Sequence, residues 1–137
     1  MIACIDSSVL LSRYLNEPRS VAARTLVKQP SMIVACRITY VEVIRGLSFI
    51  ASAVEQAMGK ALFEDEWRRS IVIEIDEQLT DLAATIAAVS GVRTLDAFHV
   101  AVAVQTAADA LITFDQRQAK AARAFDLNVI GVPPDPA

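Results

Sequence analysis

The stretch "IACIDSSVLLSRYL", residues 2–15, joins a short apolar run to an amphipathic pattern, with an aspartate between them. The run "IACI" has the length and composition of a buried strand. The segment "SSVLLSRYL" predicts a helix with a serine as its N-cap. A strand that leads at once into a helix is the repeating unit of an α/β fold. Asp6 lies at the junction, directly after the carboxyl end of the strand.

The same alternation continues to the end of the chain. Further strands are predicted at residues 32–36, 71–75, 110–114 and 128–131. Helices are predicted at residues 19–29, 39–47, 51–68, 79–89, 95–107 and 115–125. Strands that alternate with helices favour right-handed crossovers and a parallel sheet. We therefore expect a doubly wound α/β fold of three layers, α/β/α, with a mainly parallel central sheet of about five strands.

Length and composition indicate one domain with a large aliphatic core. The chain has 137 residues, of which 54% are hydrophobic and only 6% aromatic, and its mean hydropathy is +0.41. We expect one domain over residues 1–132 and a short C-terminal tail, "PPDPA", over residues 133–137. No run approaches the roughly 20 uncharged apolar residues of a membrane span, and no signal peptide is evident. We expect a cytoplasmic protein with no membrane partner.

Cysteines and net charge narrow the function classes only slightly. Cys4 and Cys36 lie in apolar runs without metal-ligand spacing, which predicts buried, reduced thiols and gives no indication of a zinc site. The net charge is −3, although residues 1–45 carry six basic and three acidic side chains. This basic third of the chain is compatible with phosphate contacts, and equally with a solvated face.

Two aspartates follow predicted strands directly. Asp6 comes after the first strand and Asp115 after the fourth. The carboxyl ends of parallel strands meet at one edge of the sheet, where α/β proteins bind their ligands. Carboxylates brought together there need a cation, and oxygen ligands suit Mg²⁺ or Mn²⁺ rather than zinc.

Three more acidic residues lie near predicted helix starts, and each has a structural explanation too. Thr39 and Glu42 have the spacing of a capping box. Asp96 falls in the first turn of a helix capped by Thr94, where it favours the helix dipole. Asp76 follows a strand but is best explained as an N-cap. If the helix turns of Glu42 and Asp96 adjoin the same sheet edge, four carboxylates converge there, and only bound cations would hold them together.

Other acidic-site folds are disfavoured by single positions. A receiver domain needs paired acids after its first strand and a lysine after its last, but "IACI" is followed by one aspartate and "NVIGVPP" has no lysine. A phosphatase of the haloacid dehalogenase type needs a second aspartate at position 8, which is Ser8. No serine or cysteine stands beside a base that could make it a covalent nucleophile.

Four segments resemble those of PIN-domain proteins, and specifically of the VapC-type toxins of bacterial and archaeal toxin–antitoxin pairs. They are "IDSSVLL" (5–11), "TYVEVIRGL" (39–47), "TLDAFHVAVA" (94–103) and "LITFDQRQAKAA" (111–122). Each segment is short, but their order and spacing over nearly the whole chain make the joint match specific.

The resemblance also implies which residues of this sequence form the site. Its acidic residues, which would hold the metal and support catalysis, map onto Asp6, Glu42, Asp96 and Asp115. Its supporting residues map onto Ser7, Thr113 and His99, of which His99 could either bond to the site or only pack. Candidate RNA-binding side chains are Arg13, Arg37, Arg45 and Arg93.

The activity that the resemblance implies is a metal-dependent endoribonuclease, the toxin of a toxin–antitoxin pair. It would use Mg²⁺, or Mn²⁺, to hydrolyse RNA phosphodiester bonds. Its implied partners are a VapB-like antitoxin, an RNA substrate and a second copy of the chain in a homodimer. Two alternatives remain: a catalytically inactive module that binds RNA or antitoxin, and a structure-specific DNA nuclease.

Overall fold

A five-stranded parallel sheet forms the centre of the molecule. The computed structural model describes residues 1–136. The strands are β1 (Ile2–Ile5), β2 (Met32–Cys36), β3 (Ile71–Ile73), β4 (Ala110–Ile112) and β5 (Val129–Ile130). They are ordered β3-β2-β1-β4-β5, and every neighbouring pair is parallel. The expected sheet is confirmed, with β1 at its centre between β2 and β4.

Helices connect the strands and cover both faces of the sheet. They are α1 (Ser7–Ser12), α2 (Ser20–Val27), α3 (Arg37–Leu47), α4 (Ala53–Arg69), α5 (Glu77–Ser90), α6 (Thr94–Gln105) and α7 (Gln116–Ala124). Among residues 1–136, no single helix is long and apolar enough to span a membrane. Helices α5 and α6 reach that length and apolarity only as a pair, and the pair is bent by 116° at the break between them.

Two hydrophobic clusters, one on each face, hold the layers together. Because side chains of a strand alternate between faces, Cys4 of β1 contributes to one cluster and Ile5 to the other. The first cluster packs α5, α6 and α7 against the sheet through residues such as Ile86 and Val100. The second packs α1 to α4 through residues such as Phe63. The three-layer α/β/α architecture predicted from the sequence is confirmed.

Several predicted helix starts are wrong by a few residues. The N-cap of α1 is Asp6, which accepts a hydrogen bond from the Ser8 N–H, so the expected serine cap is wrong. Helix α3 begins at Arg37, directly after β2, and its N-cap is Cys36. The Thr39 capping box is therefore wrong, because Thr39 lies inside the helix.

Other local predictions agree more closely with the structure. Asp76 is the N-cap of α5 and accepts from the Leu79 N–H, as expected. Thr94 is the first residue of α6 rather than its cap, but Asp96 does lie in the first turn. Strands β3 and β4 end two residues earlier than predicted. Residues 132–136, which include Pro134 and most of the predicted tail, lie outside helices and strands. The last residue of that tail, Ala137, lies outside the described residues.

Candidate metal centre and active site

One cavity of about 630 Å³ opens at the carboxyl edge of the sheet. All four predicted carboxylates line it, together with a few neighbouring side chains. The lining residues are Asp6, Ser7, Ser8, Glu42, Arg93, Thr94, Leu95, Asp96 and Asp115. The chain therefore brings acidic groups from four separate segments to one opening.

Asp6 reaches the cavity from the end of β1 and is only 5% exposed. Its Oδ2 atom accepts hydrogen bonds from the backbone N–H of Ser8, at 3.3 Å, and from the Ser8 hydroxyl. Its Oδ1 atom accepts from Nε2 of Gln118, at 3.4 Å. These contacts fix the carboxylate at the junction between strand and helix, because both oxygens are held from different elements.

Asp115 reaches the cavity as the N-cap of α7, just after the neighbouring strand β4. Its Oδ1 atom accepts from the backbone N–H groups of Arg117, at 2.8 Å, and Gln118, at 3.0 Å. The hydroxyl oxygen of Thr113, which is fully buried, accepts from the Asp115 N–H at 3.0 Å. The predicted supporting residue Thr113 thus orients the backbone of Asp115, while its own side chain does not line the cavity.

Glu42 projects from the second turn of α3, not the first, because α3 starts earlier than predicted. Nε2 of the buried His99 donates to Oε1 of Glu42 at 2.8 Å and lies 3.8 Å from Oδ1 of Asp6. The ring's Nδ1 lies 3.5 Å from the hydroxyl of Thr39. Of the two readings left open for His99, contact with the site is the one observed.

The surroundings of His99 favour its charged form. Burial opposes a charge on the imidazole, but the hydrogen bond to Glu42 and the charges of Asp6, Glu42 and Asp96 outweigh it and raise the pKa above its ordinary value. A protonated His99 offsets part of the negative charge behind the cavity.

Asp96 is half-buried at the start of α6, and the pKa of its carboxyl shows the effect of the neighbouring carboxylates. Burial, followed by the charges of Asp6 and Asp115, raises the pKa of its carboxyl above the ordinary value. The charges of two neighbouring carboxylates therefore act on Asp96. Nothing comparable would arise if the carboxylates lay on separate surfaces.

The four carboxylates share the cavity, but they do not lie as close together as the ligands of a bound metal ion. Among residues 1–136, no three His, Cys, Asp or Glu side chains lie close enough together to hold a metal ion. Three of them are instead held by local partners: Asp6 by Ser8, Asp115 by the start of α7, and Glu42 by His99. The donor set is nonetheless all oxygen, which suits Mg²⁺ or Mn²⁺, and the repulsion on Asp96 is what a cation would relieve. In donor chemistry the residues fit a divalent cation, provided that their side chains move closer together.

Gln118 is a site residue that the sequence analysis missed. It is fully buried on α7, and its Nε2 donates to Asp6 Oδ1 and, at 3.3 Å, to the backbone oxygen of Asp96. Its Oε1 has no hydrogen-bond partner within residues 1–136. The available signal was a polar residue on the buried, alanine-rich side of α7.

The four arginines predicted to bind RNA have different surroundings. Arg93 lines the acidic cavity. The other three do not line it: Arg13 is paired with Glu66, Arg37 with Glu74, and Arg45 lies over the Phe49 ring. Only one of the four is thus brought to the predicted site.

Comparison with known proteins agrees with this architecture. Residues 3–124 match the family model described as the PIN domain. The chain is 29% identical over 128 residues to Ribonuclease VapC46 of Mycobacterium tuberculosis, covering 92% of this chain and 94% of that protein.

Solved structures show the same fold. The crystal structure of Mycobacterium tuberculosis VapC20, a sarcin-ricin loop cleaving toxin, superimposes with a TM-score of 0.74 at 15% identity, covering 96% of this chain and 99% of that one. A chain of a toxin–antitoxin complex from Klebsiella pneumoniae gives a TM-score of 0.67 at 16% identity, with 85% and 89% covered. The resemblance predicted from four short segments is confirmed, since the family match spans all four. The chain belongs to the PIN domain family.

Proposed function

We propose that this chain is a metal-dependent endoribonuclease, the toxin component of a toxin–antitoxin pair. The observation that carries the proposal is the single cavity lined by Asp6, Glu42, Asp96 and Asp115 at the carboxyl edge of the sheet. Membership of the PIN domain family and the likeness to a protein named a ribonuclease support it. A module that only bound RNA would gain nothing from four carboxylates facing a phosphate backbone.

In this proposal the four carboxylates hold the cation, and the surrounding side chains hold the carboxylates. Mg²⁺ or Mn²⁺, when bound, supplies the Lewis acidity that phosphodiester hydrolysis requires. His99 orients Glu42 through its Nε2–H, and Ser8 and Gln118 orient Asp6. Outer partners of this kind orient the groups that hold a metal and tune their basicity.

Asp96 is the most informative of the four residues. Within residues 1–136 no hydrogen bond reaches its carboxylate, and the neighbouring charges raise its pKa. It is therefore free to turn toward a cation, and ionisation of this group would be favoured by cation binding. We assign Asp96 a direct role in holding the metal.

The proposed partners follow from the relatives. The Klebsiella pneumoniae structure is a toxin–antitoxin complex, which supports a VapB-like antitoxin as the partner of this chain. RNA as the substrate, a homodimer and a cytoplasmic location belong to the same proposal. The single-domain boundary near residue 132 is part of it too.

The test compares the wild-type chain with Asp96→Asn on labelled total RNA, with Mg²⁺, Mn²⁺ or EDTA, and on single-stranded and structured DNA. Asp76→Asn is the matched control, because it makes the same substitution at an N-cap outside the cavity. We expect discrete RNA fragments from the wild type and the control, and none with EDTA or Asp96→Asn. Cleavage of DNA alone would favour a structure-specific DNA nuclease, and RNA binding without cleavage would favour an inactive binding module.

A further inference from the structure

The exposed side of α7 carries a row of basic side chains. Arg117, Lys120 and Arg123 recur every third residue, so they lie along one side of the helix. The opposite side is buried and consists of Gln118, Ala119, Ala121 and Ala122. No acidic residue occurs between Gln116 and Phe125. Arg93, the N-cap residue of α6, is a further exposed basic side chain, and we call Arg93, Arg117 and Lys120 together the basic row.

The side chains of the basic row are exposed and have no acidic partner among residues 1–136. Within residues 1–136 no salt bridge or side-chain hydrogen bond joins Arg93, Arg117 or Lys120 to a carboxylate. Four other basic side chains are neutralised in this way, in the pairs Arg13–Glu66, Arg37–Glu74, Arg68–Asp65 and Arg69–Asp65. Unpaired exposed cations are available to a ligand, because no ion pair has to be broken first.

The basic row runs outward from the acidic cavity. Arg93 lines that cavity, and Arg117 follows the cavity residue Asp115 by two positions. Beside them is a second cavity, of about 510 Å³, lined by residues 89–92 and by Arg117, Lys120, Ala121 and Ala124. Lys120 also lines a third cavity, of about 450 Å³, together with Arg123. The second and third cavities therefore share Lys120 on α7, and each of the three has a basic side chain in its wall.

We propose that the basic row binds phosphates of the single-stranded RNA that flanks the scissile bond. The inference rests on the proposed function, and it names the side of the site on which the substrate lies. A polyanion that enters a cavity of four carboxylates needs cations nearby to offset the repulsion. A strand that leaves the cavity along α7 meets Arg93, Arg117 and Lys120 in turn. Arginine also suits this role through its paired N–H donors to phosphate oxygens.

The test measures binding without cleavage, by the salt dependence of affinity. In an Asp96→Asn background, fluorescence anisotropy gives the Kd for a labelled oligouridine over a series of KCl concentrations. For single strands, log K falls with log[salt] with a slope of about −0.7 per phosphate neutralised. Adding Arg117→Ala and Lys120→Ala should therefore weaken binding and make the slope shallower by about 1.4.

The matched control is Arg68→Ala with Arg69→Ala, which removes the same charge from exposed positions of α4. Its slope should equal that of the Asp96→Asn parent. If the Arg117→Ala, Lys120→Ala variant keeps the salt slope of the Asp96→Asn parent, the inference is wrong. It is also wrong if the control loses as much affinity and slope as this variant, because the loss would then reflect net charge alone.

A second readout separates this inference from the proposed function. With Asp96 intact, the same Arg117→Ala, Lys120→Ala variant should show a raised KM for RNA and a nearly unchanged kcat. If the wild type leaves RNA intact, the proposed function itself is wrong. If the wild type cleaves RNA and the variant keeps both its KM and its salt slope, the function stands and the basic row does not bind the substrate.

Discussion

Helices α1 and α3 are in tight contact where Gly46 faces Leu11. A Cβ atom at this position would overlap Cδ2 of Leu11 and lie 2.9 Å from its Cδ1 and 3.0 Å from its Cγ. Helix α1 starts directly after Asp6, and α3 carries Glu42, so this contact helps to set the spacing between two carboxylates of the site. Gly46→Ala therefore tests both the packing of these helices and the geometry that depends on it.

The expected magnitude comes from two opposing effects. Alanine stabilises a helix interior over glycine by up to about 1 kcal/mol. Overpacking of a tight contact typically costs about 1–3 kcal/mol. Rotation about χ2 of Leu11 moves its Cδ atoms but not its Cγ, so relief of the overlap requires a different χ1 rotamer of Leu11 or a separation of the helices. We expect Gly46→Ala to lower the free energy of unfolding by about 1 kcal/mol, or the Tm by roughly 4 °C.

A double-mutant cycle measured by urea unfolding makes the prediction specific. In a Leu11→Ala background the obstructing atoms are absent, so Gly46→Ala should instead raise the free energy of unfolding by about 0.5–1 kcal/mol. The effect of Gly46→Ala on the free energy of unfolding thus changes sign when Leu11 is replaced by alanine. An increase in stability with Leu11 in place, or the same effect in both backgrounds, would refute the proposed contact.

Three further results are expected. Asp96→Asn should raise the Tm in EDTA at pH 7, because burial and the charges of Asp6 and Asp115 raise the pKa of this carboxyl and its ionised form destabilises the fold. The difference from the wild type should vanish below about pH 4, where Asp96 is protonated in the folded and unfolded chains alike; a difference independent of pH would contradict this. Mn²⁺ at 100 times its Kd should stabilise the wild type by about 2.7 kcal/mol and Asp96→Asn by much less. Calorimetry at constant ionic strength measures both effects, and an equal stabilisation of the two proteins would exclude Asp96 as a ligand. Arg13→Ala should lower the free energy of unfolding by about 2 kcal/mol, because it leaves the largely buried Glu66 unpaired, while the Kd for RNA stays unchanged; a weaker Kd would place Arg13 on the substrate path.

The element order and part of the site could be predicted because their signals are local. Apolar runs and helical periodicity identified the five strands and the helices. Asp6 and Asp115 were candidates because they directly follow strands, and Glu42 and Asp96 because they lie near predicted helix starts. The four family segments then favoured these residues over Asp76. Local signals were less reliable at helix starts: Thr39 has the spacing of a capping box, yet it is buried beside His99 within α3, because α3 continues directly from β2.

Residue type, spacing and order along the chain were enough to predict the class of fold, the family and the four carboxylates that line one cavity. Which strands are neighbours follows from the folded chain alone, and β1 beside β4 is what brings Asp6 and Asp115 to that cavity. The tertiary structure also decided that Gln118 lies behind that cavity, that Glu66 neutralises Arg13, and that the basic side of α7 faces outward. These features depend on contacts between residues as many as 112 positions apart. Such contacts are selected by burial and packing of the whole chain, which periodicity along the sequence does not encode.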